Sequence, residues 1–192
     1  MRSTKSSLDR DYFDRVYDRD ADPWHFETSA YEREKYDATI ALLGDRRFAS
    51  GFEIGCSIGV LTSRLAGVCD RLLSVDINER ALVAARKRCA AIPQVTFAQM
   101  AVPRDFPAGR FDLVVVSEVA YYWSDDDLNL ALDRIAASAR GGMVELVHFL
   151  PPVADYVRGG DAVHAWFLAD PRFVRLRHRR TERYRIDILA VT

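Results

Sequence analysis

The sequence predicts an α/β fold: a mostly parallel sheet with helices on both faces, closed by an antiparallel pair of strands at the C-terminus. Three observations predict it. From residue 51 onward, short apolar runs alternate with runs of helical length and composition, the order that builds a parallel sheet. One run, FDLVVVSEV (111–119), is apolar almost throughout, as a central strand covered on both faces must be. The closing stretch FVRLRHRRTERYRIDILAV instead alternates apolar residues with arginine, which suits half-buried strands.

Residues 1–50 read as a helical segment. In TSAYEREKYDATIALL (28–43), Ser29 followed by Glu32 is a capping-box signal ahead of Tyr36, Ile40 and Leu43. Before it, Pro23 in DADPWHF forbids a continuous helix and marks a structured loop. GFEIG (51–55) is the first strand and VLTSRLAGVC (60–69) its helix. RLLSVDIN (71–78) is the second strand, followed by ERALVAARKRCAA (79–91), whose alanines and long side chains suit a helix. VTFAQM (95–100) is the third strand and FDLVVVSEV the fourth. DDDLNLALDRIAASA (125–139) is a helix that begins in acid, and GGMVELVHF (141–149) a fifth strand. Val174 and Leu176, then Tyr184, Ile186 and Ile188, mark the last two, for seven strands in all.

Composition narrows the class. A chain of 192 residues buries a substantial core as one domain. A net charge of −1 gives no general attraction to nucleic acid or to an anionic membrane. No apolar run approaches the roughly 20 residues that span a bilayer, and MRSTKSSLDRDYFDRVYDRD has no signal-peptide core. Cys56, Cys69 and Cys89 are odd in number and lack CxxC spacing. The expectation is a reduced, cytoplasmic protein, monomer or homodimer, with a small-molecule partner and neither nucleic acid nor membrane. The arginines of the tail read as a nucleic-acid strip or as a solvated strand face, and their alternation favours the latter.

Chemistry concentrates at FEIGCSIG. In an open α/β sheet, ligands bind beyond the C-terminal ends of the strands where strand order reverses. Gly55 and Gly59 stand where the first strand turns into its helix, and Asp76 follows Gly55 by 21 residues, at the end of the second strand. A carboxylate there accepts bonds from the ribose hydroxyls of a nucleoside; its plainer role is to cap the next helix. A dinucleotide site would show GxGxxG, with a pyrophosphate on the helix N-terminus. This chain has ExGxxxG and no GK[ST] phosphate loop, which makes a nicotinamide oxidoreductase a poor fit. Glu53 suits a ligand with an ammonium group and no phosphate, as S-adenosylmethionine is.

FEIGCSIG, SVDIN and FDLVVVSEV, in that order, resemble the class I S-adenosylmethionine-dependent methyltransferases, which implies a Rossmann-like fold. DPWHF, the YEREKY helix, FEIGC and VVVSEVAYYW resemble more narrowly the nodulation protein S (NodS) family, over residues 10–150. That resemblance implies N-methylation of the deacetylated, non-reducing glucosamine of a chitooligosaccharide in Nod factor synthesis. It divides the single domain into an N-terminal lid (1–50) and a cofactor-binding sheet core (51–192). Ser57 stands where the wider class often has glycine, and VHFLPPVADYVRGGDAVHAWF, which would shape the acceptor pocket, shows no match.

The resemblance assigns Glu53, Gly55, Ser57 and Gly59 to the methionyl end of S-adenosylmethionine and Asp76 to its ribose. Ile77, Met100 and Ala101 would lie along the adenine, without the acidic residue the family often has there. Glu118, closing the fourth strand, would bind the cofactor ammonium, hold the acceptor amine or take its proton; a turn cap is its structural alternative. Tyr121, Tyr122 and Trp123 would line the acceptor site, with Tyr31. Arg33 would pair with the cofactor carboxylate, and Trp24 would cover the tail or simply anchor its segment. His148 is the second base candidate, or a satisfied core histidine; His164 is weaker. Cys56 has no histidine partner in its motif to make it a nucleophile, and no ligand cluster points to a metal. O-methylation of a small metabolite and a non-catalytic S-adenosylmethionine-binding protein are the alternatives.

Overall fold

The computed structural model describes residues 6–192; residues 1–5 of the expected N-terminal segment lie outside the described residues. Asp9 accepts the Tyr12 amide and opens helix α1 (Arg10–Arg19). Asp22 then takes the amides of Phe26 and Glu27, at 2.8 and 3.0 Å, and folds the proline-containing loop. Ser29 accepts the Glu32 amide and opens α2 (Ala30–Leu43). The return half of a capping box does not form, because the Glu32 carboxylate is bound to Lys35.

Seven strands follow: β1 (Gly51–Ile54), β2 (Leu72–Asp76), β3 (Val95–Gln99), β4 (Leu113–Ser117), β5 (Met143–Phe149), β6 (Phe173–Arg180) and β7 (Tyr184–Val191). Their order is β3-β2-β1-β4-β5-β7-β6. The first five are parallel, and β7 runs antiparallel to both β5 and β6. Four more helices complete the chain: α3 (Val60–Leu65), α4 (Glu79–Arg88), α5 (Asp125–Ser138) and α6 (Gly160–Ala169). Because β1 pairs with β2 on one side and β4 on the other, strand order reverses between β1 and β4. A crevice opens beyond their C-terminal ends.

The apolar run of β4 is explained by its two faces. Val114 and Val116 pack with Leu128 and Ile135 of α5 and Phe167 of α6. Leu113 and Val115 pack on the other side with Tyr36 and Leu43 of α2 and Leu61 and Leu65 of α3. Several boundaries are shorter than the sequence predicts. The helix after β1 stops at Leu65, since Cys69 forms a parallel bridge with Phe48. Asn78, read as strand, caps α4 by accepting the Ala81 amide. Helix α6 has no counterpart in the sequence reading. Two prolines precede it at 151 and 152, and His164 interrupts the apolar face carried by Val163 and Phe167. All three cysteines are free and buried. Among the described residues, no helix is long and apolar enough to cross a membrane.

Glu145 of β5 is an anomaly of the sheet core. It is fully buried, lies in register with Val115 and Ile188, and neither carboxyl oxygen has a partner among the described residues. Burial alone pushes its pKa well above the ordinary value, so the native state holds it protonated. An unpaired buried polar group costs about 1–3 kcal/mol. Glu145→Met is therefore expected to raise the urea midpoint by about that free energy at pH 7, with an unchanged m-value. A destabilised variant would show that Glu145 has a partner.

Candidate active site

A cavity of about 960 Å³ lies over the C-terminal ends of the central strands, with α1 and the loop before α2 on its other side. One half of it is shaped by the β1 turn. Gly55 has φ +79°, and a Cβ there would collide with Val119 just beyond β4, so no larger residue fits. The Gly55 and Cys56 amides both donate to the Val75 carbonyl, at 2.8 and 2.9 Å, which ties the turn to β2. Asp76 completes the tie: one oxygen accepts the Ser57 amide at 2.8 Å and the other the Asn78 amide at 2.9 Å. Burial raises its pKa while these amide bonds lower it. Each oxygen keeps a second acceptor site for an incoming hydroxyl. Ile77, Met100 and Ala101 line the same side, and Trp24 lines it from the loop, stacked on Phe26 with ring centres 5.5 Å apart.

The other half is organised by Glu118, the first residue after β4. Its φ of +58° turns the chain sharply, and its carboxylate meets three elements. One oxygen is 2.5 Å from Lys35 Nζ of α2. The other accepts the Tyr121 hydroxyl at 2.7 Å and the Phe149 amide of β5 at 2.9 Å. Lys35 is buried and also binds Glu32, at 2.9 Å. Burial alone would lower the lysine's pKa, but Glu118 and Glu32 outweigh it and the net shift is upward. Tyr31, Tyr121, Tyr122 and Trp123 all line this half. Tyr121 stacks on Tyr156 with ring centres 3.8 Å apart.

Four expected site residues stand off the cavity wall. Glu53 lies beneath the turn, where the Thr62 and Ser74 hydroxyls donate to one of its oxygens at 2.6 and 2.7 Å. Gly59, φ +79°, faces α4: a Cβ there would meet Ala85 at 3.0 Å. Arg33 is exposed and donates to the Thr28 carbonyl at 3.1 Å. His148 is fully buried, because α6 crosses it closely enough that a Cβ on Gly160 would lie 3.0 Å from its own. Its Nδ1 is 3.2 Å from Nε2 of His164, whose Nδ1 is 2.7 Å from Asp187. Burial, His164 and Lys35 all hold its pKa well below the usual histidine value, so the imidazole is neutral.

The sequence reading missed Lys35 and Tyr156. A lysine three residues after Glu32 on a partly apolar helix face is a usable signal. Tyr156 falls in a stretch without any periodicity. Tyr17 was missed as well: it reaches from α1 to place its hydroxyl 2.6 Å from the Ser57 hydroxyl.

A reversed β7 slotted between β5 and β6 distinguishes this sheet from a dinucleotide-binding one. With an acid at the end of β2 and no phosphate loop, the chain has the class I methyltransferase fold. The structure of the N-methyltransferase NodS from Bradyrhizobium japonicum WM9, in complex with S-adenosyl-L-homocysteine, superposes with a TM-score of 0.84, at 25% identity over 95% of this chain and 97% of that one. The sequence profile of the Nodulation protein S (NodS) family matches residues 7–146. The chain belongs to that family. Nodulation protein S of Bradyrhizobium diazoefficiens is 35% identical over 105 residues, 54% of this chain and 50% of the relative. That of Sinorhizobium fredii is 30% identical over 139 residues, 72% of this chain and 60% of the relative. The chain thus spans about half to three-fifths of the length of these relatives.

Glu53 gives this site a pH signature. Burial lifts its pKa from 4.5 to about 7, against the two hydroxyl bonds that lower it. A carboxyl raised in the folded state stabilises fully below its unfolded value and loses that contribution as pH climbs through the folded one. Glu53 is expected to contribute a fall in unfolding free energy as pH rises from about 4.5 to 7, by roughly 1.4 kcal/mol for each pH step of one, beside the fall that buried Glu145 contributes. The slope across that range is expected to be shallower by that amount in Glu53→Gln than in the wild type; an equal slope in both proteins would place Glu53 outside the titration.

Proposed function

We propose that this protein is an S-adenosylmethionine-dependent N-methyltransferase acting on a primary amine of a small molecule. Family membership favours the free amino group of a deacetylated chitooligosaccharide as that acceptor. The observation that carries the reading is the Glu118 carboxylate, fixed from three sides in a cavity that Asp76 also lines.

The cradle fits the cofactor. Gly55 leaves room for no Cβ beside Val119, and Asp76 is anchored through two amides with acceptor sites to spare, as a ribose diol requires. Asp76 would hold the ribose. Ile77, Met100 and Ala101 would flank the adenine, with Gly55, Ser57 and Trp24 around the methionyl tail. Glu53 and Gly59 would act from outside the cavity, the first by bracing α3 through Thr62 and the second by letting α4 close in. Bound there, S-adenosylmethionine supplies a methyl group already activated on a sulfonium.

What the protein adds is alignment and charge. Glu118 would accept an N–H bond from the acceptor amine and aim its lone pair across the cavity. Positioning of this kind supplies a large share of a transfer's acceleration. Positive charge grows on nitrogen as the new bond forms, and the carboxylate stabilises it. Tyr121 and Lys35 hold the carboxylate plane still, so no reorganisation is needed at that moment. Helix α1 would serve as a lid that excludes water.

Labelled methyl transfer to deacetylated and to fully N-acetylated chitooligosaccharides tests the reading. Label is expected on nitrogen of the free amine alone; a purely O-methylated product would overturn it. Glu118→Gln is expected to lower kcat by about 10²–10⁴-fold while retaining S-adenosylhomocysteine binding. Asp76→Ala is expected to weaken that binding by about 1.5–3 kcal/mol, the worth of hydrogen bonds to a charged group. Unchanged affinity in Asp76→Ala would remove it from the cofactor site.

A further inference from the structure

Seven arginines lie between residues 172 and 185. Six of them are bonded. Arg172 meets Asp170 and Asp133, Arg175 and Arg185 meet Asp187, Arg179 meets Glu34, Arg180 meets Asp161, and Arg177 donates to the Leu42 carbonyl. Arg183 is the exception: among the described residues no carboxylate or carbonyl accepts from its guanidinium. Nor is the side chain adrift. Its guanidinium carbon sits 3.6 Å from the centre of the Tyr31 ring, and it lines the cavity. The Tyr31 hydroxyl donates in turn to the Arg183 carbonyl at 3.5 Å, which fixes the β6–β7 turn against α2.

Stacking occupies the flat face of a guanidinium and leaves its edge, a fork of N–H donors, free for a planar oxyanion. The nearby acids do not compete for that fork. Glu32 and Glu118 are both taken by Lys35, and Asp155 accepts the Tyr12 hydroxyl at 2.8 Å. The distance to the reacting end is short. Glu118 is 2.5 Å from Lys35 Nζ, which lies 5.2 Å from the centre of the same Tyr31 ring. One aromatic ring thus stands between the carboxylate assigned to the amine and an unspent cation.

We propose that Arg183 is a specificity-determining residue and that the preferred acceptor carries an oxyanion, a carboxylate, sulfate or phosphate, within about one sugar's length of its amine. This rests on the amine-acceptor reading above and departs from its chitooligosaccharide form, which carries no oxyanion. A neutral chain of amino sugars would leave the fork facing water.

The test compares glucosamine with glucosamine 6-phosphate as methyl acceptors, using the wild type, Arg183→Ala and Arg183→Lys, with S-adenosylhomocysteine affinity measured by calorimetry for each. The wild type is expected to favour the phosphorylated sugar in kcat/KM by about tenfold or more. Arg183→Ala is expected to erase that ratio. Arg183→Lys, a point charge without the fork, is expected to keep only part of it. No preference in the wild type, or one that survives in Arg183→Ala, overturns the proposal. Loss of S-adenosylhomocysteine affinity in Arg183→Ala also overturns it, since the guanidinium would then serve the cofactor carboxylate. If the wild type methylates neither sugar, the amino-sugar acceptor fails on its own. Arg183 is then judged by titrating glucosamine 6-phosphate into the S-adenosylhomocysteine complex: binding present in the wild type and absent in Arg183→Ala supports it, and equal binding overturns it.

Discussion

The Glu118 carboxylate ties together parts of the chain that are remote in sequence. Lys35 brings α2, Tyr121 brings the turn after β4, and the Phe149 amide brings the end of β5. A lysine and a glutamate taken from water recover the desolvation cost only when every remaining donor and acceptor is bonded. Removing one partner of such a pair typically costs about 3–5 kcal/mol. The left-handed backbone at Glu118 adds about 1–3 kcal/mol of strain, which the same three bonds hold in place. The site is therefore a constraint on the fold as well as a product of it: α2 is docked through Glu118.

The shape of the β1 turn follows from the same segment. Val119 comes directly after Glu118 and leans over the β1 turn, which is why position 55 tolerates only glycine. The turn, pulled toward β2 by the Val75 carbonyl, presents the Ser57 amide to Asp76. Ser57 in turn meets Tyr17 of α1, so the N-terminal helices are fastened both at the β1 turn and, through Lys35, at Glu118. A single strand-order reversal thus puts the β1 turn and Asp76 on one side of the crevice and Glu118, after β4, on the other.

Much of this was legible in the sequence because it depends on local rules. The unbroken apolar run of β4 could only be a strand covered on both sides, and a glycine turn followed by an acid closing the next strand marks a nucleoside site. Side-chain direction was not legible. Glu53 is a member of the motif, yet on a four-residue strand nothing in the sequence says which face it takes, and it turns toward Thr62 and Ser74. Arg33 and Lys35 are two positions apart and so lie on opposite sides of a helix; α2 carries no clean apolar stripe to tell which points inward, and it is Lys35. His148 reads as a base from its place at the end of β5, and only the packing of α6, itself invisible to periodicity, shows it enclosed in the core.

The most direct measurement is a crystal structure of the protein with S-adenosylhomocysteine. The adenosine is expected against Asp76 and Ile77, with the sulfur turned toward Glu118 and the Lys35–Glu118 contact intact. A ligand lying elsewhere, or a Lys35 that has left Glu118 to hold the cofactor carboxylate, would contradict it.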